Sequence, residues 1–133
     1  MSKAIISIIT PNFNGALYIA QTIESVLAQT FKDWEMIIVD DCSTDSSIGI
    51  IERYEKLDDR IKLIKLNVNS GAAVARNIAI ENSRGRYISF LDGDDIWLPS
   101  KLEVQLNSMK EKNIPFSFMS YYKMIDMVKH WGS

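Results

Sequence analysis

The chain has 133 residues, of which 47% are hydrophobic and 24% charged, a balance typical of a globular domain rather than a disordered or fibrous protein. Its net charge of −2, with scattered basic residues, gives no basic stripe, so we expect no nucleic-acid partner. A single cysteine, Cys42, excludes an internal disulfide, and no apolar run is long enough to span a bilayer, so we expect a cytoplasmic protein without a transmembrane segment.

Short apolar runs alternate with segments of helical periodicity along the chain, which is typical of an α/β fold with a mostly parallel sheet flanked by helices. We predict strands buried on both faces over residues 4–10 and 34–40, because these runs are almost continuously apolar, and a further strand over residues 86–91. Residues 61–66 alternate in polarity and predict a strand with one wetter face. A fifth strand is predicted over residues 114–122.

Helices are predicted between the strands, each beginning at a residue suited to that end of a helix. The expected starts, in chain order, are Ala16, Ser43 or Thr44, Asn69 or Ser70, and Pro99. Asp45 is expected in the first turn of the second helix, where the helix dipole favours an acid. The last helix is expected to pack through Leu102, Leu106 and Met109.

Polar loops follow four of the predicted strands, with the sequences "TPNFN", "VDDCSTD", "NVNSGAAVARN" and "LDGDD". In open parallel sheets the carboxyl ends of the strands lie at one edge, and ligands bind there. We therefore expect the four loops to form one site.

An acidic cluster follows the fourth predicted strand, where "FLDGDDIW" places Asp92, Asp94 and Asp95 within four positions. Like charges at this spacing repel, and a hard divalent cation such as Mg²⁺ or Mn²⁺ would relieve the repulsion while binding a substrate's phosphates. Gly93 is expected to let the backbone turn tightly between the acids. The cluster predicts a metal site; a solvated acidic turn is the alternative.

Three other features of these loops suit a nucleotide. Phe13 offers a flat face for a base, although an aromatic side chain at a strand end is more often part of the core. Asp40 and Asp41 could accept a hydrogen bond from a nucleobase or a ribose, or cap the following helix. Arg76 could pair with a phosphate or with one of the aspartates.

Four segments taken together and in this order resemble the family 2 glycosyltransferases of GT-A fold: "SIITPNFNGALYIAQTIESVLAQTF", "IIVDDCSTD", "NSGAAVARNIAI" and "YISFLDGDDIWLPSKLE". The resemblance runs from about Ile5 to Leu106. It implies a Rossmann-like α/β domain that binds a nucleotide sugar. We expect residues 1–133 to be a single, incomplete domain of this kind, truncated on its C-terminal side.

The resemblance also implies which residues form the site. The implied nucleotide-binding residues are Pro11, Phe13, Asp40, Asp41, Arg76 and Asp92, with Asn77 supporting them. Asp94 is the implied metal ligand, with Asp92 and Asp95 as further candidates, and the cofactor is Mg²⁺ or Mn²⁺.

The activity implied by the resemblance is inverting transfer of a sugar from a nucleotide-diphosphate sugar, by default a UDP-sugar, to an acceptor hydroxyl. The acceptor would be a glycan or a lipid-linked glycan, and the protein could then lie peripherally at the inner face of the membrane. No segment matches the motif that carries the family's catalytic base, because Asp126 is the only acid after Glu111 and its surroundings differ. We therefore expect the base beyond Ser133 and interpret this chain as the donor-binding half.

The alternative is a non-catalytic module that binds a nucleotide sugar or associates with itself. If the acceptor-binding elements are missing, apolar surface would be left uncovered, and a homodimer could bury it. Cys42 and His130 have no partners at ligand spacing and receive no role.

Overall fold

The computed structural model describes residues 4–111 as a four-stranded parallel sheet with helices on both faces. The elements are β1 (Ile6–Asn12), α1 (Ile19–Leu27), β2 (Trp34–Asp40), α2 (Ser47–Leu57), β3 (Ile61–Lys65), α3 (Ala72–Glu81), β4 (Tyr87–Phe90) and α4 (Lys101–Glu111). The strands are ordered β3-β2-β1-β4, and each neighbouring pair is parallel. The predicted α/β fold is confirmed. The fifth predicted strand, Asp126 and His130 lie outside the described residues.

Two apolar layers cover the two faces of the sheet. Ile8 of β1 belongs to the layer that contains side chains of α1, α2 and α4, whereas the adjacent Ile9 belongs to the layer formed with Ala75 and Ala79 of α3. Successive side chains of a strand point to opposite faces, so both layers draw on the same apolar runs. This explains why β1 and β2 are almost continuously apolar.

The strand predictions hold to within two residues at each end, and the largest difference is at β1, which begins at Ile6 rather than at residue 4. β2 covers the predicted range, whereas β1 continues through Pro11 and Asn12, which we expected to lie in the following loop. The Ile9 carbonyl accepts a hydrogen bond from the Leu91 N–H, so the main-chain groups of Ile9 point towards β4. The main-chain groups of Pro11, two residues later, point in the same direction, but β4 has already ended there. No partner strand there needs the N–H that proline lacks.

The predicted helix starts were wrong by one to three residues. α1 begins at Ile19 rather than Ala16, after a turn in which the Gly15 carbonyl accepts hydrogen bonds from Tyr18 and Ile19. The residues expected to cap the next two helices do not cap them, since the cap positions are Ser46 and Gly71.

The start of the last helix also differs from the prediction, because α4 begins at Lys101, after a turn that contains Pro99. Leu102 and Leu106 of α4 are buried as expected. None of the helices within residues 4–111 combines the length and the apolar character needed to cross a membrane.

Candidate functional site

The loops at the carboxyl ends of the strands enclose a cavity of about 400 Å³. Of the eight site residues named from the sequence, six line this cavity: Pro11, Phe13, Asp41, Arg76, Asp92 and Asp94. Asp40 and Asp95 do not belong to the lining. The structure therefore brings most of the predicted residues together, from the loops after β1, β2 and β4 and from α3.

The acidic turn, residues 92–95, lies at the rim of the cavity. Carboxylate oxygens of Asp92, Asp94 and Asp95 come within 4.8 Å of one another. The Asp95 N–H donates a 3.0 Å hydrogen bond to the Asp92 carbonyl and closes the turn. Three oxygen ligands at this spacing, two of them on exposed residues, suit a hard divalent cation that is also bound by phosphate. The donor set therefore fits the predicted Mg²⁺ or Mn²⁺.

Gly93 lies within the acidic turn for reasons of space. A Cβ atom on Gly93 would lie 3.1 Å from Oδ1 of Asn12 and 3.3 Å from the Pro11 carbonyl oxygen. Its φ is not positive, since Gly71 is the only described glycine with that conformation. We expected Gly93 to permit a tight turn, whereas the structure shows that it lets the acidic turn approach the end of β1.

Arg76 projects from α3 into the cavity and pairs with the acidic turn. Its Nη2 lies 3.3 Å from Oδ1 of Asp92, and its side chain is only 12% exposed. The Arg76 Nε is buried without a hydrogen-bond partner among the described residues. The sequence left open whether Arg76 pairs with a phosphate or with one of the aspartates, and in the structure it pairs with Asp92. Asn77, the next residue, is exposed and does not line the cavity.

The two aspartates at the end of β2 have different surroundings. Asp40 is fully buried, and its carboxylate accepts hydrogen bonds from the Asn12 side chain at 2.8 Å and from Ser43 Oγ at 2.6 Å. Asp41 lines the cavity, and its oxygens accept the N–H groups of Ser70 at 2.6 Å and Gly71 at 2.9 Å. Asp40 therefore holds the loop beneath the cavity, whereas Asp41, which is 4% exposed, fixes the loop before α3 and lines the cavity.

Sequence reasoning missed Asn12, which connects several parts of the site. Its side-chain Nδ2 donates to Asp40 at 2.8 Å and lies 3.1 Å from Ser47 Oγ. Its main-chain carbonyl accepts a hydrogen bond from the Asp41 N–H. Its Oδ1 is buried without a partner among the described residues. The available signal was a polar residue directly after a buried strand, but we assigned Asn12 to a loop and gave it no role.

Two aromatic side chains lie on the open side of the cavity. Phe13 is 52% exposed, so it is not the core residue that its position at a strand end could have indicated. Tyr18, which the sequence reasoning did not select, also lines the cavity and is 50% exposed. An exposed aromatic face in a polar cavity is suited to stack against a flat ligand.

Asp45 joins the loop after β1 to the start of α2. Its carboxylate accepts the N–H groups of Ala16 at 3.0 Å and Ser47 at 2.9 Å, and the Ser47 hydroxyl also donates to it. Desolvation raises the pKa of Asp45, but these hydrogen bonds outweigh it, so that its pKa is lowered from the ordinary value. Asp45 lies before the helix rather than in its first turn, and its charge holds the two loops together.

Comparison with known proteins identifies the family. Residues 7–133 match the model of glycosyl transferase family 2. TuaG of Bacillus subtilis, a provisionally assigned teichuronic acid biosynthesis glycosyltransferase, is 53% identical over 122 residues, which cover 92% of this chain and 48% of TuaG. Escherichia coli WfgD, a UDP-Glc:alpha-D-GlcNAc-diphosphoundecaprenol beta-1,3-glucosyltransferase, is 41% identical over 121 residues, covering 91% of this chain and 47% of WfgD.

A solved structure agrees with these relatives. S. aureus TarS, residues 1–349, crystallised in complex with UDP-GlcNAc, superposes with a TM-score of 0.76 at 32% identity over 80% of this chain and 31% of the TarS chain. The chain belongs to glycosyltransferase family 2, an enzyme family, and has the GT-A fold. It spans about half the length of the curated relatives described above.

Proposed function

We propose that this chain is the donor-binding part of a metal-dependent glycosyltransferase and that its donor is a UDP-sugar. The observation that carries the proposal is the convergence of three carboxylates within 4.8 Å at the rim of a cavity that also exposes an aromatic ring. TarS was crystallised with UDP-GlcNAc, and WfgD is named as an enzyme that uses UDP-Glc, which supports uridine as the base.

The nucleoside is proposed to bind at the side of the cavity formed by Pro11, Phe13 and Asp41. The half-exposed Phe13 ring would stack on the base. Asp41 already accepts two backbone N–H groups, but a carboxylate offers about four acceptor positions, so it retains capacity for an N–H of the base. Asp40 would act indirectly, because its buried carboxylate fixes the loop that carries Asp41.

The diphosphate is proposed to bind at the acidic turn together with Mg²⁺ or Mn²⁺. Asp94 would be the direct ligand, assisted by Asp92 or Asp95, and Arg76 would hold Asp92 in place through their ion pair. A bound divalent cation would act as a Lewis acid that stabilises the negative charge of the diphosphate leaving group. The part of the chain described here contributes the binding and orientation of the donor.

The transfer itself is proposed to be inverting, with the catalytic base and the acceptor-binding surface beyond Ser133. We assign no base among residues 4–111, where each carboxylate at the cavity is used to fix a loop or to form the acidic turn. In this proposal residues 1–133 are one incomplete domain. WfgD is named for a diphosphoundecaprenol-linked acceptor, so we propose a lipid-linked or polysaccharide acceptor and a position at the cytoplasmic face of the membrane.

Calorimetric titration of the 133-residue chain tests the donor proposal. UDP, UDP-GlcNAc, UDP-glucose and GDP-mannose would each be titrated in Mn²⁺ and again in EDTA. We expect the uridine nucleotides to bind more tightly in Mn²⁺ than in EDTA and GDP-mannose to bind more weakly than either UDP-sugar. Failure of a folded chain to bind any of these nucleotides would contradict the proposal.

The alternative function, a non-catalytic or self-associating module, is favoured by one surface feature. Ile96, Leu98 and Val104 are each more than 60% exposed and line a groove of about 540 Å³ between the acidic turn and α4. Apolar surface of this kind is often covered by a partner. Sedimentation equilibrium would show a concentration-dependent dimer if the groove mediates self-association, and a monomer at all concentrations would contradict that.

A further inference from the structure

The buried side of α1 carries polar residues as well as apolar ones. Thr22 and Ser25 lie within α1 and Gln29 lies two residues after its end, and they are 0%, 8% and 0% exposed. Their spacing places them in one row along the same side. Burying polar side chains is unfavourable unless they form hydrogen bonds, so this polar row, Thr22, Ser25 and Gln29, requires partners.

The polar row has two sets of partners: carbonyl groups one turn earlier in the chain, and main-chain groups of the segment that joins β4 to α4. The Thr22 hydroxyl lies 2.7 Å from the Asp95 carbonyl oxygen and 3.1 Å from that of Gly93. Ser25 Oγ accepts the N–H of Trp97 at 3.2 Å.

Gln29 forms the far end of the polar row and binds the same segment twice. Its Nε2 donates to the Leu98 carbonyl at 2.7 Å, and its Oε1 accepts the N–H of Leu102 at 3.0 Å. The segment between β4 and α4 contains turns but no strand or helix, so its main-chain groups need partners from elsewhere in the chain. The polar row supplies them at successive points from the acidic turn to the start of α4.

The contact made by Thr22 differs from the others in its position. The two carbonyl groups nearest its hydroxyl belong to Gly93 and Asp95, the residues on either side of Asp94. The Gly93 carbonyl belongs to the peptide group that joins Gly93 to Asp94, and the Asp95 carbonyl belongs to the one that joins Asp95 to Ile96. The main chain on both sides of the proposed metal ligand is thereby tied to α1. An apolar residue of the same size would fill the same space but would leave these carbonyls without that donor.

We propose that Thr22 is a positioning residue for the metal site and that Ser25 and Gln29 extend its effect along the segment. This inference rests on the proposed function, because it assumes that Asp94 binds the divalent cation. Thr22 touches neither donor nor metal and acts through the backbone of the acidic turn. Groups that orient metal ligands in this way typically change metal affinity by about 10- to 100-fold when they are removed.

The test compares Thr22→Val, which removes the hydroxyl at nearly constant volume, with Thr22→Ser, which keeps it. The quantity measured is the ratio of UDP affinity in Mn²⁺ to UDP affinity in EDTA. We expect Thr22→Val to lower this ratio about tenfold and Thr22→Ser to restore it to near the wild-type value. UDP affinity in EDTA should stay unchanged in both variants, because the Asp41 carboxylate is held by Ser70 and Gly71 rather than by Thr22.

Two further measurements separate positioning from simple loss of stability. Thr30→Val is the matched control, because the Thr30 hydroxyl donates to the exposed Glu103 at 2.6 Å, away from the acidic turn. This variant should keep the wild-type ratio of UDP affinity in Mn²⁺ to that in EDTA. Hydrogen exchange without ligand should show faster exchange of the Trp97 amide in Thr22→Val than in the wild type.

The outcomes distinguish this inference from the proposed function. If the ratio of UDP affinity in Mn²⁺ to that in EDTA is above one in the wild type and unchanged in Thr22→Val, the positioning role is overturned and the metal site stays in place. An equal loss in Thr22→Ser and Thr22→Val would also overturn it, since the hydroxyl would then not matter. A wild-type ratio of one would overturn the metal site and the positioning role together.

Discussion

Carboxylates lie at both ends of the sheet, but their surroundings differ. Where the strands begin, Glu35 accepts hydrogen bonds from Ser7 Oγ at 2.5 Å, the Arg84 N–H at 2.6 Å and Lys62 Nζ at 3.1 Å. Where the strands end, Asp92, Asp94 and Asp95 crowd together, and Arg76 is the only cation among the described residues that line the cavity.

This difference distinguishes a structural carboxylate from the carboxylates that we propose bind a metal ion. The Glu35 cluster contains its own donors, including a lysine, and needs nothing from outside the chain. The acidic turn concentrates three carboxylates beside one guanidinium, an arrangement that an added cation would stabilise. The comparison predicts that changes at the starting end of the sheet alter stability alone, whereas changes at the other end alter ligand binding.

The largest expected effect on stability comes from Gly85→Ala at the starting end. A Cβ atom there would lie 2.6 Å from the main-chain nitrogen and Oγ of Ser7 and 2.9 Å from the Ile6 carbonyl carbon, so β1 would have to move. We expect a loss of about 3 kcal/mol in the free energy of unfolding, measured by urea denaturation. The fraction that remains folded should bind UDP with wild-type affinity.

Gly15→Ala is the matched change at the site. Its Cβ atom would lie 2.4 Å from Oδ1 of Asn12, a side chain that can move only by disturbing its hydrogen bond to Asp40. We expect about 2 kcal/mol of destabilisation together with weaker UDP binding. If Gly85→Ala weakened UDP binding as much as Gly15→Ala does, the distinction between the two ends would be wrong.

Phe13→Ala should weaken UDP binding about tenfold in both Mn²⁺ and EDTA, because stacking of a base on an aromatic ring contributes roughly 1–3 kcal/mol. Stability should change little, since Phe13 is half exposed. Tyr54→Phe, which loses an exposed hydroxyl bond to Glu24, is the control on a surface aromatic away from the cavity. Unchanged UDP affinity in Phe13→Ala would remove this ring from the nucleoside site.

Asp41→Asn should weaken UDP binding in EDTA by about fivefold. The amide nitrogen would face an N–H of Ser70 or Gly71, and the loop before α3 would loosen by the loss of a hydrogen bond worth about 1 kcal/mol. Fluorescence or calorimetric titration with UDP would measure the change. An equal or greater loss in Asp59→Asn, an exposed aspartate that does not line the cavity, would contradict the assignment.

The smallest effect is a pH dependence at the starting end of the sheet. Desolvation raises the pKa of Glu35, but hydrogen bonds from Ser7, Arg84 and Lys62 outweigh it, so its pKa is lowered from the ordinary value. Because the pKa of Glu35 is lower in the folded state, its ionised carboxylate stabilises the fold at pH values above its unfolded-state pKa of about 4.3. This stabilisation is lost as the pH falls through the lowered pKa of the folded state.

Glu35→Gln should therefore remove part of the acid-induced loss of stability. We expect the variant to be less stable than the wild type at pH 7 and the gap to narrow as the pH falls below about 4.3, measured by urea denaturation at each pH. A gap that is constant with pH would show that Glu35 does not titrate with a lowered pKa.

The strands could be predicted from the sequence because burial on both faces leaves a direct record in runs of apolar residues. The helix starts could not, because the polar residues that resemble caps are used in other contacts. Ser43 bonds to Asp40, and Ser70 bonds through its N–H to Asp41, so neither caps a helix. Ser43 Oγ also accepts the N–H of Asn14, 29 positions away, and the bond between Ser70 and Asp41 likewise spans 29 positions, so local sequence rules do not include these contacts.

The candidate site was predictable where charge and motif order identify it, as for Asp41, Asp92 and Asp94. Asn12 and Thr22 were missed, because the buried hydrogen bonds that they form join segments distant in the sequence. Thr22 lies on the same buried side of α1 as the apolar residues whose periodicity predicted the helix. A polar residue at an apolar position of a helix is the signal that could have found it.

The measurement that tests the central claim most directly is UDP titration of the wild type, Asp94→Asn and Asp59→Asn, each in Mn²⁺ and in EDTA. We predict that Mn²⁺ tightens UDP binding by the wild type and by Asp59→Asn, and that Asp94→Asn loses most of that gain while keeping its affinity in EDTA. An Asp94→Asn chain that retained the full Mn²⁺-dependent gain would contradict the acidic turn as the metal site.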